Sequence, residues 1–316
     1  MSQKPIAGLH HVTAIARDAQ INLDFYVGVL GLRLVKKTVN FDDPGTYHFY
    51  YGDEVGRPGS ILTFFPWKTA GRGRAGTGQT SATAFCLPPG QLGFWEERLK
   101  SHQVEAERER RMGEDLLSFR DPEGLPLELV ASPVAGAFEP WADSRVGSEQ
   151  AIRGFHSVTL CERDYDLTAK LLVETMGFSQ EGSEGNRFRF GAAGESASIV
   201  DVVVDPAAPR AMGGRGSVHH IAWRVPDQGE QDSWRRKLAE QGYNVTPILD
   251  RNYFHSIYFR EAGGVLFELA TDGPGFTADE SVEDLGHNLK LPSWLEERRP
   301  RIEEALPPVR PPGGQA

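Results

Sequence analysis

The sequence predicts an α+β fold: four βαβββ modules, paired into two pseudo-symmetric half-domains with curved mixed sheets. Two internal matches and one recurring order of elements carry this. Gly8-Leu-His-His-Val-Thr matches Gly154-Phe-His-Ser-Val-Thr, and Glu123-Gly-Leu-Pro-Leu-Glu-Leu-Val matches Gly263-Gly-Val-Leu-Phe-Glu-Leu-Ala. Between such a start and such an end, the chain runs through one stretch of helical period and then through strand-like stretches. Recurrence of this kind marks a repeated supersecondary unit that buries its apolar face against its own copies.

In the first module, residues 8–17 alternate in strand fashion and carry β-branched Val12, Thr13 and Ile15. Asp18 is placed to cap the next helix. Leu23, Tyr26, Val27 and Leu30 form that helix's buried stripe, and Gly31 ends it. Strands are expected at 32–40, 46–51 and 60–66. The Gly- and Arg-rich run 71–78 leads into a strand rather than a helix, which argues against a phosphate site. The second module has strand 81–87, helix 93–101 and strands 105–111, 116–120 and 126–130. The third starts at Gly154, with its helix at 165–176 and its last strand at 198–204; 206–216 is a loop. The fourth covers 217–272. It has a strand containing Val218-His-His-Ile-Ala-Trp, a helix at 231–241, strand-like runs around Val245 and at 256–259, and a closing strand in 263–269.

These modules divide the chain into an N-terminal domain, 1–133, and a C-terminal domain, 154–272. A linker at 134–153 contains Gly136, Pro140 and Gly147. Residues 273–316 form an extension with a short charged helix at 293–305. Its tail from Pro307 is expected to be mobile, because Pro and Gly there bury too little to offset ordering entropy.

Composition narrows the function classes. The chain has 316 residues, 39% hydrophobic and 25% charged, as in a soluble globular protein. Lys and Arg number 34 against 44 Asp and Glu, a net charge of −10. That argues against a nucleic-acid partner, which needs basic patches. Two distant cysteines, Cys86 and Cys161, build neither a disulfide framework nor a Cys-rich zinc site. No apolar run reaches membrane-spanning length, and the N-terminus lacks a signal core. A cytoplasmic setting without a membrane partner is the expectation; a homo-oligomer is left open.

Two His-His starts, in modules one and four, and the terminal Phe-Glu-Leu strand resemble the vicinal oxygen chelate superfamily (glyoxalase, bleomycin resistance, extradiol dioxygenase). Leu9-His-His-Val-Thr, Leu34-Val-Lys-Lys-Thr, Arg251-Asn-Tyr-Phe-His-Ser-Ile-Tyr and Glu268 resemble, more narrowly, its hydroquinone-type ring-cleaving dioxygenases. The resemblance implies that the second histidine of each pair binds iron, so the metal ligands are His11, His220 and Glu268. Two imidazoles and a carboxylate form a facial triad that leaves three positions open on Fe(II), with Mn(II) as the alternative ion. The expected partners are a small aromatic substrate and O2.

The resemblance also places His10, Thr13, His219, Arg251 and Tyr258 around the metal. Strand alternation agrees only in part. It puts Thr13 on the face of His11, but His10 and His219 on the opposite one. A bulge could bring those two around, and each could then fix a ligand imidazole's tautomer. Arg251 could pair with Glu268 or hold an anionic substrate oxygen. Tyr258 reads either as a donor to a phenolate or as sheet packing, and His255 is assigned no role.

The other copies serve as an internal control. Ala82 stands in the place of His220, Ser157 in that of His11, and Glu128 alone matches Glu268. Modules two and three are therefore expected to form a cup without metal. Thr63 occupies the Glu268 position of module one, where glyoxalase-type relatives use a fourth ligand. It speaks against a glyoxalase-like isomerase or lyase. An intact triad speaks against a third reading, a quinone- or antibiotic-sequestering protein, which needs no iron.

Overall fold

A computed structural model of the chain describes residues 4–133, 138–194 and 196–311. The first module comprises β1 (Leu9–Ala16), α1 (Ala19–Leu23), β2 (Arg33–Asn40), β3 (Asp43–Gly52) and β4 (Ile61–Pro66). The second comprises β5 (Gln79–Leu87), α2 (Leu92–Ser101), β6 (Ala106–Arg111), β7 (Glu114–Arg120) and β8 (Pro126–Ala131). The third has β9 (Phe155–Glu162), α3 (Asp166–Lys170), β10 (Ser179–Glu184), β11 (Arg187–Gly191) and β12 (Ile199–Val204). The fourth has β13 (Ser217–Val225), α4 (Gln228–Glu240), β14 (Leu249–Asp250), β15 (His255–Arg260) and β16 (Leu266–Thr271). Helix α5 (Arg299–Ala305) follows a 3-10 stretch at Ser293–Arg298. The Asp18 side chain caps α1 by accepting from the Gln20 and Ile21 amides, both at 2.9 Å. Helices α1 and α3 both continue as π turns, at Asp24–Val29 and Leu171–Thr175.

The strands form two eight-stranded mixed sheets, in the orders β14-β15-β16-β13-β1-β4-β3-β2 and β10-β11-β12-β9-β5-β8-β7-β6. The pairing is crossed: modules one and four share a sheet, and so do two and three. Antiparallel β1–β13 and β5–β9 pairs join the modules. Each sheet curls until its edges meet. Arg251, just after β14, reaches Asp42 in the β2–β3 turn at 3.2 Å. The Met112 amide, just after β6, donates to Glu184 at the end of β10.

Alternation along β1 sets the layers. Val12 and Ala14 face the continuous apolar core beneath the helices, with Trp223, Trp234 and Leu238. His11 and Thr13 face into the cup. Loops 71–78 and 206–216 run side by side through bridges at Arg72–Arg215, Arg74–Met212 and Thr77–Arg210. A Cβ at Gly76 would sit 2.0 Å from the Pro209 carbonyl oxygen, so close backbone approach accounts for glycine there.

Two expectations need correction, and two strands lie where none was expected. The strand-like run around Val245 is not a strand; pairing with β15 is restricted to Leu249–Asp250. Pro247 has no N–H to give a ladder, although the Thr246 amide still donates to the Tyr258 carbonyl. The middle strands of module three, β10 and β11, did not stand out in sequence, because Ser179–Glu184 is polar and almost wholly exposed. The helix at 293–305 is half 3-10.

The extension packs on module one. Lys36 in β2 is fully buried and pairs with Asp279 at 2.7 Å and with Glu280, above the Tyr253 ring. The Tyr253 hydroxyl donates to the same Asp279. Of the tail from Pro307, residues 307–311 are described. Tyr47 donates to the Pro307 carbonyl, and Gln20 exchanges two bonds with Arg310. The rest of the tail and residues 134–137 of the linker lie outside the described residues. No helix among the described residues is long and apolar enough to cross a membrane.

Candidate metal centre

The register brings three distant positions together. His11 lies opposite Ala222, Thr13 opposite His220, and Ala222 beside Glu268. The His11 and His220 Nε2 atoms are 3.2 Å apart, and they lie 3.3 and 2.9 Å from Glu268 Oε2. All three side chains are buried. Three cis donors about 2.1 Å from one ion would be about 3.0 Å from each other. Glu268 Oε2 has no well-aligned hydrogen-bond donor despite these short contacts. Burial, more than any neighbour, holds His220 below the ordinary imidazole range. Burial pushes the Glu268 carboxyl up, but the electrostatic pull of His11 first, and then of His220, outweighs it and holds it well below the usual carboxylate range. A neutral imidazole and an ionised carboxylate thus aim lone pairs at one centre, with His11 completing it. The donor set fits a divalent metal.

The surroundings fix the donors. His10 Nδ1 lies 2.9 Å from His11 Nδ1, and His219 Nδ1 lies 2.7 Å from His220 Nδ1. His10 Nε2 lies 3.1 Å from the Thr271 carbonyl, to which it donates. His10 Nδ1 therefore accepts from His11, whose Nε2 lone pair is left free to face His220 and Glu268. Alternation alone would turn His10 and His219 away. Register shifts between Leu9 and His11, and again between Thr13 and Ala14, rotate them back. Ser256 donates to Glu268 Oε1 at 2.5 Å, and Phe254 lies 5.0 Å from both the His10 and His11 rings.

Arg251 does not pair with Glu268. Its Nε donates to the Tyr258 hydroxyl at 3.3 Å, its guanidinium lies 5.5 Å from that ring's centroid, and its other partner is Asp42. Tyr258 lies opposite Glu268, with its ring 5.6 Å from that of His220, and burial raises its pKa. Thr13 donates to or accepts from Thr63 at 2.8 Å, Thr63 contacts His48 Nε2 at 2.8 Å, and His48 Nδ1 contacts Tyr50 at 2.9 Å. His48, Tyr50, Ser256 and Phe254 are the site residues that sequence reasoning missed. His48 and Tyr50 alternate on one strand face with the Thr63 strand beside them, and that pattern was read as sheet alone.

In the second sheet, Ala84 faces Ser157 and Glu128 as Ala222 faces His11 and Glu268. Glu128 is held by Arg111 at 2.7 Å, and His156 lies 3.0 Å from Ser157 Oγ, as His10 lies beside His11. A cavity of about 1230 Å³ opens there, lined by Glu128, Arg111 and Arg187. Its size is not accompanied by convergent lone pairs, so the chemistry points to the first cup.

A family model described as the Glyoxalase/Bleomycin resistance protein/Dioxygenase superfamily matches residues 8–129 and 154–269. A Bacillus subtilis (strain 168) protein provisionally named ring-cleaving dioxygenase MhqO is 48% identical over 305 residues, 96% of this chain and 97% of its own. Chlorohydroquinone/hydroquinone 1,2-dioxygenase from Sphingobium indicum is 39% identical over 307 residues, 94% and 95% of the two chains. A crystal structure of a provisionally named dioxygenase from Bacillus subtilis superimposes with a TM-score of 0.94 at 48% identity, covering 97% and 98% of the chains. Glyoxalase I from Zea mays, at 15% identity and a TM-score of 0.60 over 84% of this chain and 92% of its own, shares the fold. The chain belongs to the Glyoxalase/Bleomycin resistance protein/Dioxygenase superfamily and, within it, to the ring-cleaving dioxygenases.

Proposed function

We propose that the protein is an Fe(II)-dependent dioxygenase that uses O2 to open the ring of a hydroquinone or related phenol beside a hydroxylated carbon, in the extradiol manner. His11, His220 and Glu268 are the ligands, with Mn(II) as the alternative ion. The observation that carries this reading is the buried convergence of two Nε2 atoms and one carboxylate oxygen. The name of the Sphingobium relative supports the substrate class. Held there, Fe(II) would supply a Lewis acid and a redox centre toward substrate oxygen and O2.

The chain's own groups do the rest. His10 and His219 hold the ligand imidazoles in the Nε2-binding tautomer, and His219, whose outer edge reaches solvent, is the acid–base candidate. Arg251 and Tyr258 present donors for a substrate oxygen. Phe254, Tyr253 and Phe276 wall the His10 side with apolar surface. Thr63 is unavailable as a fourth ligand, since Thr13 and His48 already engage its hydroxyl, which disfavours a glyoxalase-like reaction. The test is oxygen uptake by Fe(II)-loaded protein with hydroquinones and catechols, beside metal analysis. Turnover of catechols alone would remove the hydroquinone assignment, and no turnover of either would remove the enzyme assignment.

A further inference from the structure

The chain of contacts Tyr50–His48–Thr63–Thr13 is built from neutral groups, three of them buried and His48 half-buried, and its direction can be worked out. Tyr50 is 1% exposed. Its hydroxyl proton needs an acceptor, and the hydrogen-bond partner it has among the described residues is His48 Nδ1 at 2.9 Å. Tyr50 therefore donates. Because Nδ1 accepts from Tyr50, and burial lowers the ring's pKa, His48 carries one proton. That proton sits on Nε2 and is given to Thr63 Oγ1. Thr63 has one hydroxyl proton, and it goes to Thr13 Oγ1. The reverse direction would strand the buried Tyr50 proton, which is the costly arrangement.

The chain ends at Thr13, which is fully buried on the cup face, two residues from His11 and opposite His220. Its proton cannot go back to Thr63. We propose that His48 is a positioning residue: with Tyr50 and Thr63 it turns the Thr13 hydroxyl into an obligatory donor toward an oxygen anion of the aromatic ligand. This rests on the reading of the cup as an aromatic-ligand site. A site whose donor requires an acceptor rejects ligands that lack one, because the donor is then left unpaired. Thr13 thus selects for an oxygen at one ring position.

The second cup shows what the alternative looks like. Asp201 takes the Thr63 position, beside Thr159 in the Thr13 position. Arg187 binds both, at 2.9 and 3.0 Å. Thr159 there accepts from a cation held by a carboxylate. In the first cup, neutral groups set the donor without adding charge near the triad.

Two measurements test the proposal. In ¹⁵N-histidine NMR of the full-length protein, with His48 identified by its loss in His48→Gln, the ring should be the neutral Nε2–H tautomer. An Nδ1–H tautomer or an imidazolium would overturn the direction of the chain. Separately, 4-nitrophenolate is titrated by absorbance into metal-loaded wild type, Thr13→Val, Tyr50→Phe and the double variant, with metal content checked in each. Each single change should weaken binding by about three- to tenfold, the worth of one hydrogen bond. The double variant should be no weaker than Thr13→Val alone, because both act through one donor. Additive losses, or unchanged binding in Thr13→Val, would overturn the role of Thr13. If wild type neither binds the probe nor consumes O2 with hydroquinone, the proposed function fails, while the tautomer of His48 still decides the chain.

Discussion

Glu268 and Glu128 occupy the same register position in two sheets of one chain, beside Ala222 and Ala84. Both are buried, and a buried carboxylate has to be neutralised. Arg111 reaches Glu128 directly. Counting on from the pairs Glu109–Leu116 and Leu249–Ser256, Arg251 takes the Arg111 position. Yet Arg251 turns to Tyr258 and Asp42, and Glu268 is left to His11, His220 and Ser256. An arginine saturates a carboxylate with donors and closes it. Imidazoles bring lone pairs instead, so the same position stays open to a cation. On the proposed assignment, the difference between a structural cup and a metal cup is two histidines and the release of one arginine.

The largest expected contrast is in metal content. His11→Ala, His220→Ala or Glu268→Ala should lose stoichiometric metal and, with it, turnover. Glu128→Gln should keep both nearly unchanged. Metal analysis of the purified variants decides; loss of metal from Glu128→Gln would place the site in the other sheet.

Next in size is the strap that the first cup has and the second lacks. Lys36 is buried between Asp279, Glu280 and Tyr253. Lys36→Met leaves a buried acidic group unpaired and should cost about 3–5 kcal/mol of unfolding free energy. The exposed Arg110–Asp115 pair beside the second cup should be worth about 0–1 kcal/mol when broken. Urea unfolding of Lys36→Met and Arg110→Ala gives both numbers, and equal costs would mean that the extension is not held by this lysine.

A smaller contrast separates the two arginines. A charge-assisted hydrogen bond to substrate oxygen is worth roughly 1.5–3 kcal/mol, or about ten- to hundredfold in kcat/KM if made in the transition state. Arg251→Ala should keep its metal and lose that much with hydroquinones, which give the metal one oxygen and need orientation. Catechols, anchored by two oxygens, should lose less. Arg111→Ala should change kcat/KM little. Equal losses for both substrate classes would make Arg251 a support for the sheet edges.

The repeat made the modules and the vacant histidine positions legible, because counterparts of His11, His220 and Glu268 and their absences fall at equivalent places in copied strands; the family resemblance pointed to the triad itself. The crossing of the pairs is carried by β1–β13 and β5–β9 contacts between residues 70 or more apart, which no local pattern encodes. His10 and His219 were ambiguous for a physical reason: a bulge changes which way a strand residue points without changing its neighbours in sequence. His48 was hidden because a histidine between Tyr47 and Phe49 in a strand looks like packing. Its importance depends on Thr63 in another strand.

The smallest contrast lies where the first strand of each sheet's inner pair ends. Glu123 receives the Arg17 and Asp18 amides. Glu162 is also buried, but its Oε1 has no hydrogen-bond partner among the described residues, and Glu261 lies against it. Burial first, and then Glu261, push the Glu162 carboxyl up from 4.5 to about 8. The folded chain therefore holds this proton at pH values where the unfolded chain has released it. Where the folded state binds more protons, stability falls as pH rises. The contribution is full below about pH 4.5 and is lost on passing through about pH 8. Glu162→Gln keeps the shape and removes the titration. Melting temperatures from pH 5 to 9 should decline in wild type and be flatter in the variant, with a gain at pH 9 of about 1 kcal/mol, or roughly 2–4 °C. The same change at Glu123 removes an acceptor of two amides and should lower stability across the range. A pH slope that survives Glu162→Gln would move its origin to another group.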